Sequence, residues 1–110
     1  TVVYLYNQGL SGTIPPQLGD ISQLVYLSLY SNSISGTIPA ETSKLSQLGG
    51  LYLGRNSISG TIPPETSKLS QLEHLGLGSN AISGIIPPEQ TSKLKYLDLS
   101  DNDISGTVPS

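Results

Sequence analysis

Four asparagines, Asn32, Asn56, Asn80 and Asn102, stand 24, 24 and 22 residues apart, and Pro39, Pro63, Pro87 and Pro109 keep the same intervals. A fixed period of this length restricts a chain to stacked units that cannot bury a core alone and must share one with their neighbours. The unit reads Leu24-x-x-Leu27-x-Leu29-x-x-Asn32-x-Ile34-Ser35-Gly36-x-Ile38-Pro39 and recurs from Leu48, Leu72 and Leu94, with a degenerate copy starting near Val3. This predicts one domain, 1–110, of about five coils: 1–23, 24–47, 48–71, 72–93 and 94–110. The shortened interval falls in Glu89–Lys93, ahead of Leu94, where it trims a connection and spares the strand.

The 110 residues contain no Phe, Trp, Met or Cys, so the core must come from rows of Leu, Ile and Val. Alternation in Leu27-Ser28-Leu29, Leu51-Tyr52-Leu53, Leu75-Gly76-Leu77 and Leu97-Asp98-Leu99 has a period of two, which predicts short strands with one buried face. Ile34, Ile58, Ile82 and Ile104 form a second inward row, and Ile38, Ile62, Ile86 and Val108 a third. The asparagines suit the turn out of each strand, where an amide side chain can satisfy backbone groups. Gly12, Gly36, Gly60, Gly84 and Gly106 suit a tight bend.

Composition also excludes function classes. A net charge of −3 provides no basic field for nucleic acid or an anionic membrane. Without cysteine there is no disulfide, zinc cluster or thiol nucleophile, and no motif calls for a cofactor. Gly76-Leu77-Gly78-Ser79-Asn80-Ala81 fits a dinucleotide fingerprint but runs into Ile-Ser-Gly rather than a helix. Asp98, Asp101 and Asp103 lack the spacing and closing Glu of a calcium loop. No Ser-His-Asp arrangement surrounds the single histidine, so the chain is expected not to be an enzyme.

The repeated residues resemble the plant-specific leucine-rich repeat, L-x-x-L-x-L-x-x-N-x-L-S-G-x-I-P, along essentially the whole chain, as in receptor-kinase ectodomains and polygalacturonase-inhibiting proteins. The resemblance implies an α/β solenoid: a right-handed coil with a parallel concave sheet, short second strands at the Ser-Gly-Thr-Ile-Pro steps, and short helical or 3-10 turns on the convex side. It also implies an extracellular or cell-surface protein that binds a protein, peptide or carbohydrate ligand. Three features depart from the pattern: cysteine caps are absent, Thr42 and Thr66 stand where Leu18 keeps the expected Leu, and no N-x-S/T sequon occurs. The first coil is then expected to expose Val3, Leu5, Leu10 and Ile14 and to self-associate. Segments 33–39 and 57–63 are identical, as are 41–48 and 65–72, which suggests recent duplication or consensus engineering. A structural or engineered stack without a ligand is therefore one alternative.

Positions flanking the second and third Leu face outward on the concave sheet, and all six tyrosines occupy them. The preference of Tyr for strands weakens this concentration without removing it. Tyrosine offers large, rigid, amphipathic area, so the expected ligand-binding set is Tyr4, Tyr6, Tyr26, Tyr30, Tyr52, Arg55, His74 and Tyr96. Gly50, Gly54, Gly76 and Gly78 are expected to clear a shallow floor beside an aromatic wall. On the convex side Glu41/Lys44 and Glu65/Lys68 are expected to form solvated i, i+3 pairs. A further alternative lies at the second strands, where Ser11/Thr13, Ser35/Thr37, Ser59/Thr61, Ser83/Ile85 and Ser105/Thr107 would stack about 4.8 Å apart. Such a hydroxyl array could bind ice, although Ile85 interrupts the threonine rank.

Overall fold

The structure, a computed structural model, describes residues 2–85 and 94–104, with only the backbone of Asp103. The expectations for Ile86, Pro87, Pro109, Gly106, Val108, Ser105 and Thr107 and for the shortened segment 89–93 lie outside these residues.

Each coil contributes one strand to each of two parallel sheets. The first sheet comprises β1 (Val2–Tyr4), β3 (Tyr26–Ser28), β5 (Gly50–Tyr52), β7 (His74–Gly76) and β9 (Tyr96–Asp98), in that order. The second comprises β2 (Ser11–Thr13), β4 (Ser33–Gly36), β6 (Ser57–Thr61), β8 (Ala81–Gly84) and β10 (Asp103–Ile104), again in stacking order. Among the described residues three 3-10 turns, Pro16–Asp20, Ala40–Lys44 and Pro64–Lys68, return the chain along the convex side. The parallel registers Leu27↔Leu51 and Leu51↔Leu75 follow from the period itself, since residues 24 apart occupy equivalent places in successive coils. The chain thus forms the leucine-rich-repeat solenoid implied by its pattern.

The core is one continuous cluster running through the stack. Leu24, Leu48 and Leu72 are essentially sealed from solvent, as are Leu45, Leu69, Ile58 and Ile82. Each fully buried aliphatic side chain of this kind contributes about 1.5–3 kcal/mol. Ile14 is also buried and Val3 is packed against the core, so only Leu5 and Leu10 of the four residues expected to be exposed are exposed; Val2 joins them. Ile14 is covered because it begins the inward row continued by Ile38 and Ile62.

The asparagines rivet adjacent coils. Asn56 Nδ2 donates to the carbonyls of Leu29 and Leu53 at 2.9 and 3.0 Å, while its Oδ1 accepts from the Ile34 amide at 3.0 Å. Asn80 and Asn102 repeat this pattern one coil further on. The chain can present the amide inward because the preceding residue adopts left-handed backbone: Ser31, Arg55, Ser79 and Asp101 have φ of 61°, 55°, 57° and 54°. Such conformations cost about 1–3 kcal/mol for a non-glycine residue, which the bridging hydrogen bonds offset.

Thr42 and Thr66, the departures from Leu, are buried, and their hydroxyls donate to the carbonyls of Pro39 and Pro63 at 2.9 and 2.8 Å. They close the 3-10 turns from within. The expected Glu41/Lys44 and Glu65/Lys68 pairs do not form; among the described residues the ion pair is Glu73–Lys95, at 2.9 Å between adjacent coils. Both partners are well exposed, so solvent screens the pair and it adds little to stability.

Candidate functional site

Strand register sorts the outward side chains of the first sheet into rows running along the stack. Val2, Tyr26, Gly50, His74 and Tyr96 form one row, and Tyr4, Ser28, Tyr52, Gly76 and Asp98 the next. Tyr30, Gly54, Gly78 and Ser100 follow just past the strands, held by the ladder bonds from Ser31, Arg55 and Ser79 to the carbonyls of Gly54, Gly78 and Ser100. All eight residues of the expected ligand-binding set lie on this face or at its turn-side edge.

The rings and glycines of these rows interlock. Tyr26 lies over Gly50 so closely that a Cβ there would enter its ring. A Cβ at Gly54 would stand 3.1 Å from the Tyr30 ring, and one at Gly76 would stand 3.3 Å from Cδ1 of Tyr52. In each pair the tyrosine leans toward the next coil and covers backbone that a side chain would otherwise occupy. Gly50 is therefore not open floor, as its sequence position suggests, but the seat of Tyr26.

An aromatic ladder results. Tyr26 and Tyr52 are parallel to within 2°, with centroids 6.2 Å apart, and His74 meets both edge-on at 69°. The Tyr52 hydroxyl lies 2.9 Å from Nδ1 of His74, and the Tyr96 ring follows 6.2 Å beyond the imidazole. Burial, and next the neighbouring Tyr26 phenol, push the Tyr52 hydroxyl above the usual tyrosine range. The Arg55 guanidinium stands 5.9 Å over the Tyr30 ring, at cation–π distance, and makes no ion pair among the described residues.

Between these rings the face sinks into a depression of about 260 Å³. Tyr30, Tyr52 and Tyr96 wall it, Gly54, Gly76 and Gly78 floor it, and Arg55, Ser79, Asp98 and Ser100 stand at its margin. The floor carbonyls of Gly76 and Gly78 already accept from the amides of Leu53 and Arg55 at 2.7 and 2.9 Å. The floor carbonyls are thus committed to the sheet, and the charged side chains stand at the margin. Asp98 Oδ1 accepts from the Ser100 hydroxyl at 2.6 Å and the Ser100 amide at 3.0 Å. Those two bonds, the hydroxyl first, hold the carboxyl below the usual carboxylate range.

Of the expected set, Tyr30, Tyr52, Arg55 and Tyr96 line the depression. Tyr26 and His74 buttress Tyr52 from behind, and Tyr4 and Tyr6 stand apart on the first coil, 60% and 58% exposed. Asp98, Ser79 and Ser100 were absent from that set. The available signal was their place in the outward columns, Asp98 with Tyr52, Ser100 with Tyr30 and Ser79 with Arg55, which residue type overshadowed. No group of three His, Asp or Glu side chains among the described residues could hold a metal ion, and no helix there is long and apolar enough to cross a membrane.

A leucine rich repeat family profile matches residues 22–82, more than half of the chain, and a second matches residues 93–110. The chain belongs to the leucine-rich repeat family. Its similarity to solved structures places this leucine-rich repeat chain among the plant-type members. The BIR3–SERK2 complex from Arabidopsis thaliana matches with 37% identity and a TM-score of 0.91, over 98% of this chain and 59% of that one. The PEPR1–AtPEP1 structure matches with 39% identity and a TM-score of 0.94, over 98% of this chain and 16% of that one. A plant ice-binding protein matches with 35% identity and a TM-score of 0.86, over 93% of this chain and 34% of that one. The leucine-rich repeat chain therefore spans less than two thirds of the length of each. No curated protein sequence matches it significantly.

Proposed function

We propose that this chain is a non-catalytic recognition module, extracellular or at the cell surface, that binds a protein or peptide at the concave depression. The carrying observation is the glycine-floored, tyrosine-walled hollow itself. It combines rigid aromatic area with marginal polar groups, the composition of interface hot spots, and its floor offers close approach to backbone. Similar structures whose subjects are a BIR3–SERK2 complex and PEPR1–AtPEP1 support a protein or peptide ligand over a carbohydrate. Tyr26 and His74 act in this reading as supports for Tyr52, while Tyr4 and Tyr6 extend the contact toward the first coil. The test is joint replacement of Tyr26, Tyr30 and Tyr52 by Ser. Binding of peptides selected on the unaltered chain should disappear with the circular dichroism spectrum preserved; unchanged affinity refutes the concave site.

A second reading is favoured by the other sheet. A Cβ at Gly36, Gly60 or Gly84 would lie 2.8, 2.7 or 2.8 Å from the methyl of Thr13, Thr37 or Thr61, so each threonine is seated on the next coil's glycine. Ser35, Ser59 and Ser83 donate to the carbonyls of Gly12, Gly36 and Gly60, each at 3.4 Å. The outcome is a regular array of equivalent rotamers with the threonines exposed, and one similar structure is an ice-binding protein. Faceted ice growth in the presence of the protein, abolished by Thr37→Lys with Thr61→Lys, is the expected result of this reading; unfaceted growth with the unaltered chain excludes it.

A further inference from the structure

The two ends of the depression differ in a way that bears on its ligand. At one margin Arg55 leans over Tyr30. At the other, two coils further on, Asp98 is oriented by Ser100: both hydrogen bonds fall on Oδ1. The remaining oxygen, Oδ2, is turned over the floor, where it stands 2.8 Å from the position a Cβ would take on Gly78. Only a glycine leaves that space open. The rings of Tyr52 and Tyr96 flank the adjoining Gly76, 3.3 and 3.9 Å from the position its Cβ would take, and line the same hollow.

A carboxylate with one oxygen locked and the other presented over a glycine floor, beside two tyrosine rings that line the same hollow, has the components of a cation-binding cage. The rings supply negative faces and the carboxylate supplies charge. Orientation before binding lowers the ordering cost of the contact. Neighbouring cationic side chains do not cancel the charge: His74 is turned to the Tyr52 hydroxyl, and Lys95 is paired with Glu73. The backbone of Arg55 follows a strand two spacings of about 4.8 Å from that of Asp98, roughly the span of three extended residues, and its guanidinium leans away over Tyr30.

We propose that the Tyr52–Tyr96–Asp98 end of the depression is a subsite for a basic side chain, lysine or arginine, of a peptide ligand that crosses the coils in extended form. Arg55 then disfavours a second basic residue at the opposite end and sets the direction in which the segment lies. Ser100 is a positioning residue, acting only through Asp98. This inference rests on the peptide-binding reading of the concave face, and the experiment separates the two.

A random peptide library is panned on the immobilised chain, and N-acetyl-lysine methylamide and its norleucine counterpart are titrated separately while amide resonances are followed. Recovered peptides should be enriched several-fold in Lys or Arg, and Asp98→Asn, which keeps the bond to Ser100, should weaken them at least tenfold. The lysine probe should shift Gly76, Gly78 and Tyr96 where norleucine does not, and Ser100→Ala should weaken that probe while leaving the probe-free spectrum of the floor amides in place. Peptides that need Tyr30 and Tyr52 but show no basic preference and tolerate Asp98→Asn overturn the subsite and leave the module intact. Equal shifts by the two probes at those amides overturn it as well. Failure to recover any peptide dependent on Tyr30 or Tyr52 overturns the concave reading together with the subsite.

Discussion

Replacing Asn56 by Ala tests the riveting that keeps the concave face in shape. The side chain makes four hydrogen bonds: it accepts from Ile34 N and donates to the carbonyls of Leu29, Leu53 and Gly54. Their loss is unequal. Leu29 O keeps the amide of Asn32, Leu53 O keeps that of Asn80, and Gly54 O keeps the Ser31 amide, so each carbonyl retains one partner. The Ile34 amide loses the acceptor it has in Asn56 Oδ1. An unpaired N–H costs about 1–3 kcal/mol and each weakened carbonyl a few tenths to about 1 kcal/mol, with water entry at this half-buried position offsetting part. The expected loss is about 2–3 kcal/mol, against a total of about 5–15 kcal/mol for a domain of this size. In urea, with a slope of about 1–3 kcal/mol/M, the midpoint should fall by about 1–2 M with the slope unchanged. Asn56→Asp should be worse at neutral pH, because it keeps the acceptor but turns a carboxylate toward three carbonyls. A loss below about 0.5 kcal/mol for Ala, or an Asp variant as stable as the unaltered chain, refutes the reasoning.

Other outcomes follow from the same geometry. Gly60→Ala combines a left-handed backbone (φ 78°) with the seated methyl of Thr37, whereas Gly12→Ala has φ 90° and open space; thermal unfolding should show a loss of about 1–2 kcal/mol at Gly12 and more at Gly60, and equal losses would remove the interlock. Asp98 has a folded value depressed by Ser100, so its stabilising effect is present above the unfolded carboxylate value and is lost as pH falls through the lowered one. Carbon-detected NMR titration should find this carboxyl below its usual range, and Ser100→Ala should return it; no movement contradicts the assigned cause. Val2, Leu5 and Leu10 are exposed on the first coil, so the 110-residue chain should associate with rising concentration and Leu5→Lys with Leu10→Lys should suppress it, as sedimentation can decide.

Sequence and structure divide the account of this protein along a clear physical line. The period of 24 residues specified the parallel stacking, the register and the inward rows, because identical spacing leaves equivalent residues nothing to pack against but one another. The outward columns were equally legible, since strand side chains alternate faces. What those columns build was not. Gly50 and Gly76 each flank a buried Leu, Gly50 in the row of His74 and Gly76 in that of Tyr52, yet Gly50 is roofed by Tyr26 while Gly76 floors an accessible hollow. That difference depends on how closely the neighbouring ring settles: Tyr26 fills the space a Cβ would take at Gly50, whereas Tyr52 stands 3.3 Å from that position at Gly76. The left-handed backbone at Arg55 aims its guanidinium back over Tyr30, and the bonds from Ser100 turn one oxygen of Asp98 over Gly78. The repeat thus decided the scaffold by itself, whereas the depression and its two charged ends arose only when side chains of neighbouring coils settled against one another.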